Sequence, residues 1–415
     1  MAHNSVAPIR LAIFLLTYVL IAVQQIPGLR INRPAASLMG AVAMVVLGGL
    51  PLHDAYAAID LNVIVFLLGV LLLTAYLEVG GFFEWAAAHI VRRARSAHAL
   101  LGGVIAVSGI LSAFFINDTI CLVVTPLVLA AIRPLGLPPL PFLLAIAMAA
   151  NVGSAMTVTG NPQNMLVGVS SHITFANFLT ALAPASIVGL VVVYIVIAAI
   201  HRKDLAAPLA STRPSLAFEF DRVLVVKALI VFAAALACWL AGFSLPLVAI
   251  AAGAVMVAIA QRDPAATFAR VEWDLLLFFA ALFVVVRGVQ DLPLFQDLTA
   301  RAASHLTGAS WHDATIVSAA MLALSNLVSN VPAVLLWLPV VPHLAHADFI
   351  WLVIAMSSTF AGNLTLLGSM ANLIVAERAA ARGVRMKFSS YLVVGVPVTI
   401  LTIALGIASL VLSRG

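Results

Sequence analysis

Apolar segments long enough to cross a lipid bilayer recur along this chain with little between them, for example over residues 58–79 and 176–200. A spanning helix needs about 20 apolar residues, so a chain of 415 residues allows about ten crossings joined by short loops. Charged side chains make up 9% of the sequence and the mean hydropathy is +1.16, whereas soluble proteins carry roughly 25% charged residues. We therefore predict an all-α polytopic membrane protein without a second soluble domain.

Charge and cysteine usage exclude several other classes. The formal net charge of +5 comes from basic residues scattered over short loops, a pattern typical of membrane orientation rather than of nucleic-acid binding. Cys121 and Cys238 lie inside apolar runs without metal-ligand spacing, so neither a disulfide framework nor a zinc site is expected. The first apolar run, residues 11–29, is too long for a signal peptide and lacks a cleavage site, so we interpret it as a spanning helix.

The second half of the chain repeats the first. Residues 62–69 (NVIVFLLG) parallel residues 274–281 (DLLLFFAA), and ordered polar matches continue at an offset of 213 and then 208 residues. The matched polar residues are Ser112 with Ser325, Asn117 with Asn330, Thr157 with Thr365, Gly160 with Gly368, and Asn164 with Asn372. Chance similarity between apolar stretches does not keep a nearly constant offset, so we predict an internal duplication.

Each half is predicted to contain five crossings and one re-entrant helical hairpin. The halves are residues 1–205 and 223–415, joined by a polar linker at 206–222. The expected crossings are 11–29, 36–52, 58–79, 140–167 and 176–200, then 223–242, 244–260, 274–290, 350–375 and 389–412. The hairpin tips are expected near 117–119 and 329–332, and two crossings are expected to be broken, near 160–164 and 362–372.

An odd number of crossings per half implies that the second half is inserted upside down relative to the first. Of the 21 lysines and arginines, 17 then fall on one side of the membrane and four, Arg10, Arg287, Arg301 and Arg414, on the other. The positive-inside rule makes the crowded side cytoplasmic. We expect a protein of the cell's inner membrane with a cytoplasmic linker, both termini outside, and an interfacial helix over residues 82–95 on the cytoplasmic surface.

Four polar clusters interrupt the apolar segments, at the two hairpin tips and the two broken crossings. Such residues cost free energy in lipid unless they face protein or water. Broken helices also expose unpaired N–H groups, which attract anions, and unpaired carbonyl groups, which coordinate cations. We predict a substrate site near the membrane midplane, formed by Asn117, Asp118, Thr119, Asn161, Pro162, Asn164, Ser329, Asn330, Ser369 and Asn372.

Asp118 is the acidic residue that lies deepest in an apolar region of the sequence. A buried carboxylate must be paired, protonated or next to a cation, so this residue is a candidate for coupling transport to sodium or protons. Alternatively, Asp118 caps the second arm of its hairpin. Asn117 and Asn330 have the same two interpretations, as site residues or as helix caps.

Several motifs carry a resemblance to the ion transporter superfamily, which includes arsenite pumps, sodium/proton antiporters, citrate transporters and divalent anion/sodium symporters. Residues 80–87 (GGFFEWAA), 115–119 (FINDT) and 330–335 (NVPAVL) are similar to the arsenite-pump branch. Residues 150–153 (ANVG) and 160–164 (GNPQN) are more similar to the antiporter and symporter branches. The resemblance covers nearly the whole chain.

The resemblance implies a scaffold domain and a moving transport domain, often in a homodimer with elevator motion. It also implies two cation sites, formed by Ser112, Asn117, Asp118 and Gly160, and by Ser325, Asn330, Gly362, Asn363, Thr365 and Gly368. In the symporters a Ser-Asn-Thr triplet at each tip binds the substrate carboxylate. Ile116, Asp118 and Val331 depart from those triplets, and a negative Asp118 would repel a dicarboxylate unless a proton or cation neutralises it.

These features together predict a secondary active transporter of a small anion or oxyanion, coupled to sodium or protons, that works by alternating access. An arsenite or antimonite exporter and a sodium/proton antiporter are alternatives within the superfamily, and an anion channel is an alternative outside it. No HExxH motif or other catalytic set indicates an enzyme. No cofactor is expected, no bidentate arginine appears in the predicted site, and the sequence leaves the substrate open.

Overall fold

A computed structural model describes residues 3–23, 31–206 and 218–413. This described part consists of helices, turns and loops with no β-strand, which confirms the all-α membrane fold class. The helices of the first half are α1 (His3–Val23), α2 (Arg33–Val46), α3 (Leu52–Ala58), α4 (Leu61–Val79), α5 (Phe82–Arg93), α6 (Ala97–Phe114), α7 (Asn117–Ile132), α8 (Leu140–Ser154), α9 (Pro162–Ser171), α10 (Phe175–Ile200) and α11 (Arg202–Leu205).

The second half follows the same order of long helices. Its helices are α12 (Arg222–Leu240), α13 (Leu245–Ile259), α14 (Pro264–Phe268), α15 (Trp273–Gln290), α16 (Pro293–His305), α17 (Trp311–Val328), α18 (Asn330–Leu335), α19 (Ala347–Ala361), α20 (Met370–Ala380) and α21 (Phe388–Leu412), with a 3-10 turn at Val341–His343. Most of the predicted linker, residues 207–217, lies outside the described residues, as do residues 24–30 of the first expected crossing.

Seven described helices are long and apolar enough to cross a membrane, namely α1, α4, α6, α10, α12, α15 and α21. The shorter apolar helices α2 and α13 occupy two further expected crossings, and α8 with α9 and α19 with α20 occupy the two that were predicted to be broken. The arms of the two hairpins differ in length. The entering arms α6 and α17 have 18 residues each, whereas the returning arm α18 has six.

The two breaks are displaced slightly from the predicted positions. The first comprises residues 155–161, because Pro162 begins α9 rather than interrupting a helix. Proline is favoured at the first helical position, where its missing N–H group costs nothing. Asn161 caps the new helix by accepting a hydrogen bond from the Asn164 N–H group at 2.8 Å. The second break comprises residues 362–369 and ends where α20 begins.

The helices pack as two groups that each draw on both halves. In the group that we call the frame, α4 packs against α13 and α2 packs against α15, with α1, α3, α12 and α14 around them. In the group that we call the hairpin group, α6 to α10 pack among themselves and against α17 to α21, with α10 against α21 and α7 against α20. This division has the form of the scaffold and transport domains that the resemblance implies.

Equivalent serines start the entering arms of both hairpins. Ser96 Oγ accepts from the Ala99 N–H group at 3.1 Å, and Ser310 Oγ accepts from the Asp313 N–H group at 3.2 Å. Each bond satisfies one of the N–H groups that a helix start leaves unpaired. The same local signal thus fixes where each hairpin enters.

Labelling of α5 and α16 tests the predicted orientation. Arg95, which follows α5, and Ser304, which lies on α16, are both exposed, and the inverted repeat predicts that they lie on opposite sides of the membrane. In a variant with Cys121 and Cys238 replaced by serine, we expect an impermeant maleimide added to intact cells to label Ser304→Cys but not Arg95→Cys. Labelling of both would contradict the inverted topology, and labelling of Arg95→Cys alone would contradict the predicted orientation.

Candidate functional site

A cavity of about 400 Å³ lies between the frame and the hairpin group. The frame contributes residues from the starts of α2 and α15, and the hairpin group contributes both tips and the helices that follow the two breaks. The lining residues of the frame are Asn32, Arg33, Pro34, Glu272, Asp274, Leu275 and Phe278. Those of the hairpin group are Asn117, Asp118, Pro162, Gln163, Ser329, Asn330, Val331, Ser369, Met370, Leu373 and Glu377.

The cavity collects six of the ten residues predicted to contact substrate: Asn117, Asp118, Pro162, Ser329, Asn330 and Ser369. The two hairpin tips therefore lie at one cavity although they are 213 residues apart in sequence. At the second tip, Ser329 has a backbone φ of 79°, which residues other than glycine rarely adopt. Backbone of this kind costs free energy and is typical of functional sites.

Neither tip uses its asparagine or Asp118 as a helix cap. The N-cap positions are Ile116 for α7 and Ser329 for α18, and neither makes a side-chain capping hydrogen bond. Asn117 instead donates from Nδ2 to Asn151 Oδ1 at 3.1 Å. The capping interpretation therefore finds no support in the geometry of either tip.

The cavity is rich in carboxylates. Asp118 and Glu377 face it from the hairpin group, and Glu272 and Asp274 face it from the start of α15. Burial raises the pKa of the Glu272 carboxyl, and a hydrogen bond from Thr119 Oγ1 to Glu272 Oε1, at 3.4 Å, opposes that shift. Thr119 thus lies against the frame behind the cavity wall rather than lining it.

One cation, Arg33, lines the same cavity from the start of α2. The sequence predicts no bidentate arginine in the site, and Arg33 is a cavity residue that the predicted set lacks. Arg33 lies beside a short polar loop of the sequence, where a basic residue ordinarily indicates the orientation of the chain in the membrane and not a binding site. The packing of α2 against α15 brings it to the site.

Asn164 and Asn372 hold the two breaks in the same way. Asn164 Nδ2 donates to the carbonyl groups of Ser154 and Thr157, both at 3.1 Å. Asn372 Nδ2 donates to the carbonyl groups of Gly362 and Thr365, at 2.7 and 3.1 Å. Ser154 ends α8 and Gly362 directly follows α19, whereas Thr157 and Thr365 lie within the breaks, so each asparagine binds one carbonyl group at a helix end and one in the break that follows.

The first break also holds the first tip. The Asn117 N–H group donates to the Gly160 carbonyl at 3.2 Å. A Cβ atom on Gly160 would lie 2.3 Å from the Ser154 carbonyl oxygen and 2.7 Å from the Ser112 carbonyl oxygen, closer than side-chain atoms approach. A residue without a side chain is therefore required where the break meets the hairpin.

The halves contact each other through reciprocal pairs of hydrogen bonds. Asn151 of α8 and Thr359 of α19 are equivalent residues, 208 positions apart. Each of them binds two residues of the other half: the asparagine that holds the break, and the N-cap residue of the helix after the break. In the first pair, Asn151 Nδ2 donates to Asn372 Oδ1 at 3.0 Å, and Thr359 Oγ1 donates to Asn164 Oδ1 at 3.4 Å. In the second pair, Ser369 Oγ donates to Asn151 Oδ1 at 3.0 Å, and Asn161 Nδ2 donates to Thr359 Oγ1 at 3.2 Å. Reciprocal contacts of this kind are those of units related by a two-fold axis.

Three predicted substrate ligands lie behind the cavity wall. Asn161, Asn164 and Asn372 are fully buried, and their amide groups bind carbonyl and hydroxyl groups of the protein. Their role in this arrangement is to hold the breaks and the contact between the halves. A polar residue in an apolar segment has the same appearance in sequence whether it binds a ligand or a carbonyl group.

The predicted cation ligands include oxygen atoms without hydrogen-bond partners among the described residues. These are the buried Oγ atoms of the equivalent serines Ser112 and Ser325, and Oδ1 of Asn330. Buried polar atoms are normally hydrogen-bonded, so these three oxygen atoms remain available to coordinate a ligand. Gly362 lies beside Asn330, whose Nδ2 would be 3.4 Å from a Cβ there.

The other predicted cation ligands at the second break contact the side chains of two asparagines, Asn151 and Asn326. Asn363 Oδ1 accepts from Asn151 Nδ2 at 2.9 Å, and Thr365 Oγ1 donates to Asn326 Oδ1 at 3.1 Å. Gly368 lies against the same Asn326 side chain. Asn151 and Asn326 are thus site residues that the predicted set lacks, although both are polar residues within apolar helices, which is the signal that could have found them.

Comparison with known proteins gives one family and several relatives. The family profile described as "CitMHS: Citrate transporter" matches residues 18–359. The silicon efflux transporter LSI3 of Oryza sativa subsp. japonica is 31% identical over an alignment covering 92% of this chain and 93% of that protein. The uncharacterized transporter Rv2684 of Mycobacterium tuberculosis is also 31% identical, with 96% of each chain covered.

A solved structure shows the same fold. The YdaH transporter of Alcanivorax borkumensis superposes with a TM-score of 0.62 over 99% of this chain and 98% of that chain, at 14% sequence identity. At such low identity the likeness concerns the architecture of the helices and not the ligand. The helical architecture of this chain is therefore that of a solved fold.

Proposed function

Since the chain belongs to the CitMHS citrate transporter family, we propose that it is a secondary active transporter of a small oxyanion, or of the weak acid from which that oxyanion forms, coupled to protons or sodium. The resemblance to the ion transporter superfamily is confirmed by this membership, and the protein is an integral membrane transporter. The substrate, the coupling ion and the type of motion are the proposed part.

The observation that carries the proposal is the charge of the cavity, where four carboxylates face one guanidinium group. A polyanion such as citrate would be repelled at close range by ionised carboxylates. A neutral or singly charged oxyacid can donate hydrogen bonds from its hydroxyl groups to carboxylates. Its oxygen atoms can accept from the amide groups of Asn117 and Asn330, which line the same cavity.

Helix starts at the cavity add an attraction for oxygen atoms that carry partial negative charge. Helices α7, α9 and α20 begin at Asn117, Pro162 and Met370, all of which line the cavity. The N-terminus of a helix presents unpaired N–H groups and a partial positive charge. The combination of helix starts with carboxylates suits a weak oxyacid that arrives with a proton or a cation.

The rice relative supports this substrate class. It is named a silicon efflux transporter, and dissolved silicon is a weak oxyacid that is mostly uncharged near neutral pH. We propose the same class for this chain, with arsenite or antimonite as further members. A sodium/proton antiporter is the second candidate, because the carboxylates alone could take up a cation as the transported ion.

Elevator motion of the hairpin group against the frame is the proposed mechanism. The cavity lies between the two groups at the starts of α2 and α15 and near the end of α20, which is the side predicted to be cytoplasmic. Tyr18 of the frame helix α1 donates from its hydroxyl group to the Pro332 carbonyl, beside the second tip, at 3.2 Å. We infer an inward-facing state whose outward transition breaks that contact, in a protein that forms homodimers.

Flux into proteoliposomes tests the proposed function. With a proton or sodium gradient imposed, we expect silicic acid or arsenite to accumulate above its external concentration, because a coupled transporter uses the ion gradient to drive its substrate. Citrate is expected to accumulate poorly. Flux that only follows the substrate's own gradient would indicate a channel, and an ion exchange that needs no oxyacid would indicate the antiporter.

A further inference from the structure

Arg33 is the cation of the cavity, and the proposed transport cycle does not yet use it. It is the first residue of α2 and therefore belongs to the frame. The residue is half-buried, and its Nε is buried without a hydrogen-bond partner among the described residues. A guanidinium group normally binds a carboxylate or other acceptors through several N–H groups, so an unpartnered Nε in an arginine that lines a cavity indicates an interaction that changes during function.

The charged groups that face Arg33 are all carboxylates. They are Asp118 on α7, Glu272 and Asp274 at the start of α15, and Glu377 on α20. In the described part of the chain no ion pair joins Arg33 to any of them, but Arg33 and Asp118 attract each other electrostatically across the cavity. The cavity therefore separates a fixed positive charge on the frame from a negative charge on the hairpin group.

Asp118 needs a positive charge nearby whenever it is ionised, because an uncompensated carboxylate is costly inside a membrane protein. A bound proton or sodium ion supplies that charge in the loaded transporter. When neither is bound, Arg33 is the one cation that lines the cavity. Two positive charges near one carboxylate repel each other, so Arg33 and the coupling ion act on Asp118 in opposition.

We propose that Arg33 is the fixed counter-ion of Asp118 in the ion-free transporter and competes with the coupling ion for this carboxylate. The inference rests on the proposed function, since it assumes that the hairpin group moves and that Asp118 binds the coupling ion. Because Arg33 stays with the frame, its attraction acts on Asp118 in the inward-facing position and compensates the carboxylate after the ion has left. Arg33 thereby favours release of the coupling ion on the inward-facing side.

Ion titrations of Arg33 variants test the competition. In purified full-length protein, the melting temperature is followed against sodium chloride, with choline chloride as the ionic-strength control, and against pH. For the ion that drives uptake in the wild type, we expect Arg33→Gln to lower the half-saturating concentration about tenfold, since a competing charge is removed, whereas Arg33→Lys stays close to wild type. Arg33→Met, of similar length, is the second charge-removing variant.

The matched control is Arg222→Gln. Arg222 is also the first residue of a frame helix, α12, but it is exposed and does not line the cavity. We expect its ion titration to match the wild type. An unchanged or weakened ion affinity in both Arg33→Gln and Arg33→Met would overturn the proposal. So would an unchanged ion affinity with a raised KM for the oxyacid, which would make Arg33 a substrate ligand.

A double-mutant cycle without coupling ion separates this inference from the proposed function. In ion-free buffer near pH 8, the changes in melting temperature caused by Arg33→Gln and Asp118→Asn should not be additive if the two charges attract each other. Additive changes would contradict the counter-ion role even if transport itself is coupled as proposed. Conversely, gradient-driven uptake that survives Asp118→Asn would contradict the coupling role and leave the measured attraction intact.

Discussion

Asp118→Asn is expected to reduce gradient-driven uptake to the level of protein-free liposomes. The substitution keeps the shape of the side chain but removes its charge and its titratable proton. Asp118 is half-buried, lines the cavity and makes no ion pair with any described residue, so its charge is free to act on an ion. The protein should still fold, because removing this charge from the first turn of α7 costs only about 0.3–1 kcal/mol of interaction with the helix dipole.

The pH dependence of uptake should also flatten in Asp118→Asn, because the group that titrates is gone. Asp297→Asn is the matched control. It removes the same charge, but Asp297 is exposed on α16 and does not line the cavity. We expect it to keep most of the gradient-driven uptake. Wild-type uptake with an unchanged pH profile in Asp118→Asn would exclude Asp118 from coupling.

Gly160→Ala is expected to abolish transport and to lower the melting temperature. The added Cβ would lie 2.3 Å and 2.7 Å from two backbone carbonyl oxygens, of Ser154 and Ser112, and neither can move without disturbing the break or the hairpin. Overpacking of a buried site typically costs about 1–3 kcal/mol. Because the Gly160 carbonyl also accepts from the Asn117 N–H group, the displacement reaches the first tip directly.

Alanine substitutions at two other glycines are expected to have smaller effects than Gly160→Ala. Gly102 of α6 has only the Tyr194 ring nearby, at 3.7 Å, so Gly102→Ala should keep transport and stabilise the helix by up to about 1 kcal/mol. Gly368→Ala would contact the Asn326 side chain at 2.7 Å, and a side chain can move, so an intermediate loss is expected. Melting temperature and flux of the three variants should follow this order. Wild-type flux in Gly160→Ala would show that the break tolerates a side chain.

The hairpins and breaks could be predicted from sequence because their signals are local. Asn117 and Asn330 each stand between two apolar segments, and Gly160 and Pro162 together favour a break in the helix that contains them. Because the chain is duplicated, each tip and each break in one half has a matching position in the other half. These residues could therefore be found without knowing which helices touch.

The frame side of the site could not be predicted in this way. Arg33, Glu272 and Asp274 lie at helix ends beside loops, where charged residues are ordinary, and nothing in their spacing distinguishes them. They reach the cavity because α2 packs against α15 across the two halves, a contact between residues more than 200 positions apart. Such pairings depend on the folded arrangement of the helices rather than on any local pattern.

The reciprocal bonds between the halves have a consequence for how the protein is made. Asn151 and Asn164 leave the ribosome about 200 residues before their partners Asn372 and Thr359 are translated. During that interval the first half of the nascent chain holds buried amide groups whose final partners do not yet exist, and unsatisfied polar groups are costly in lipid. The hairpin group therefore cannot reach its final packing during synthesis of the first half, and assembly waits for the last helices to be inserted.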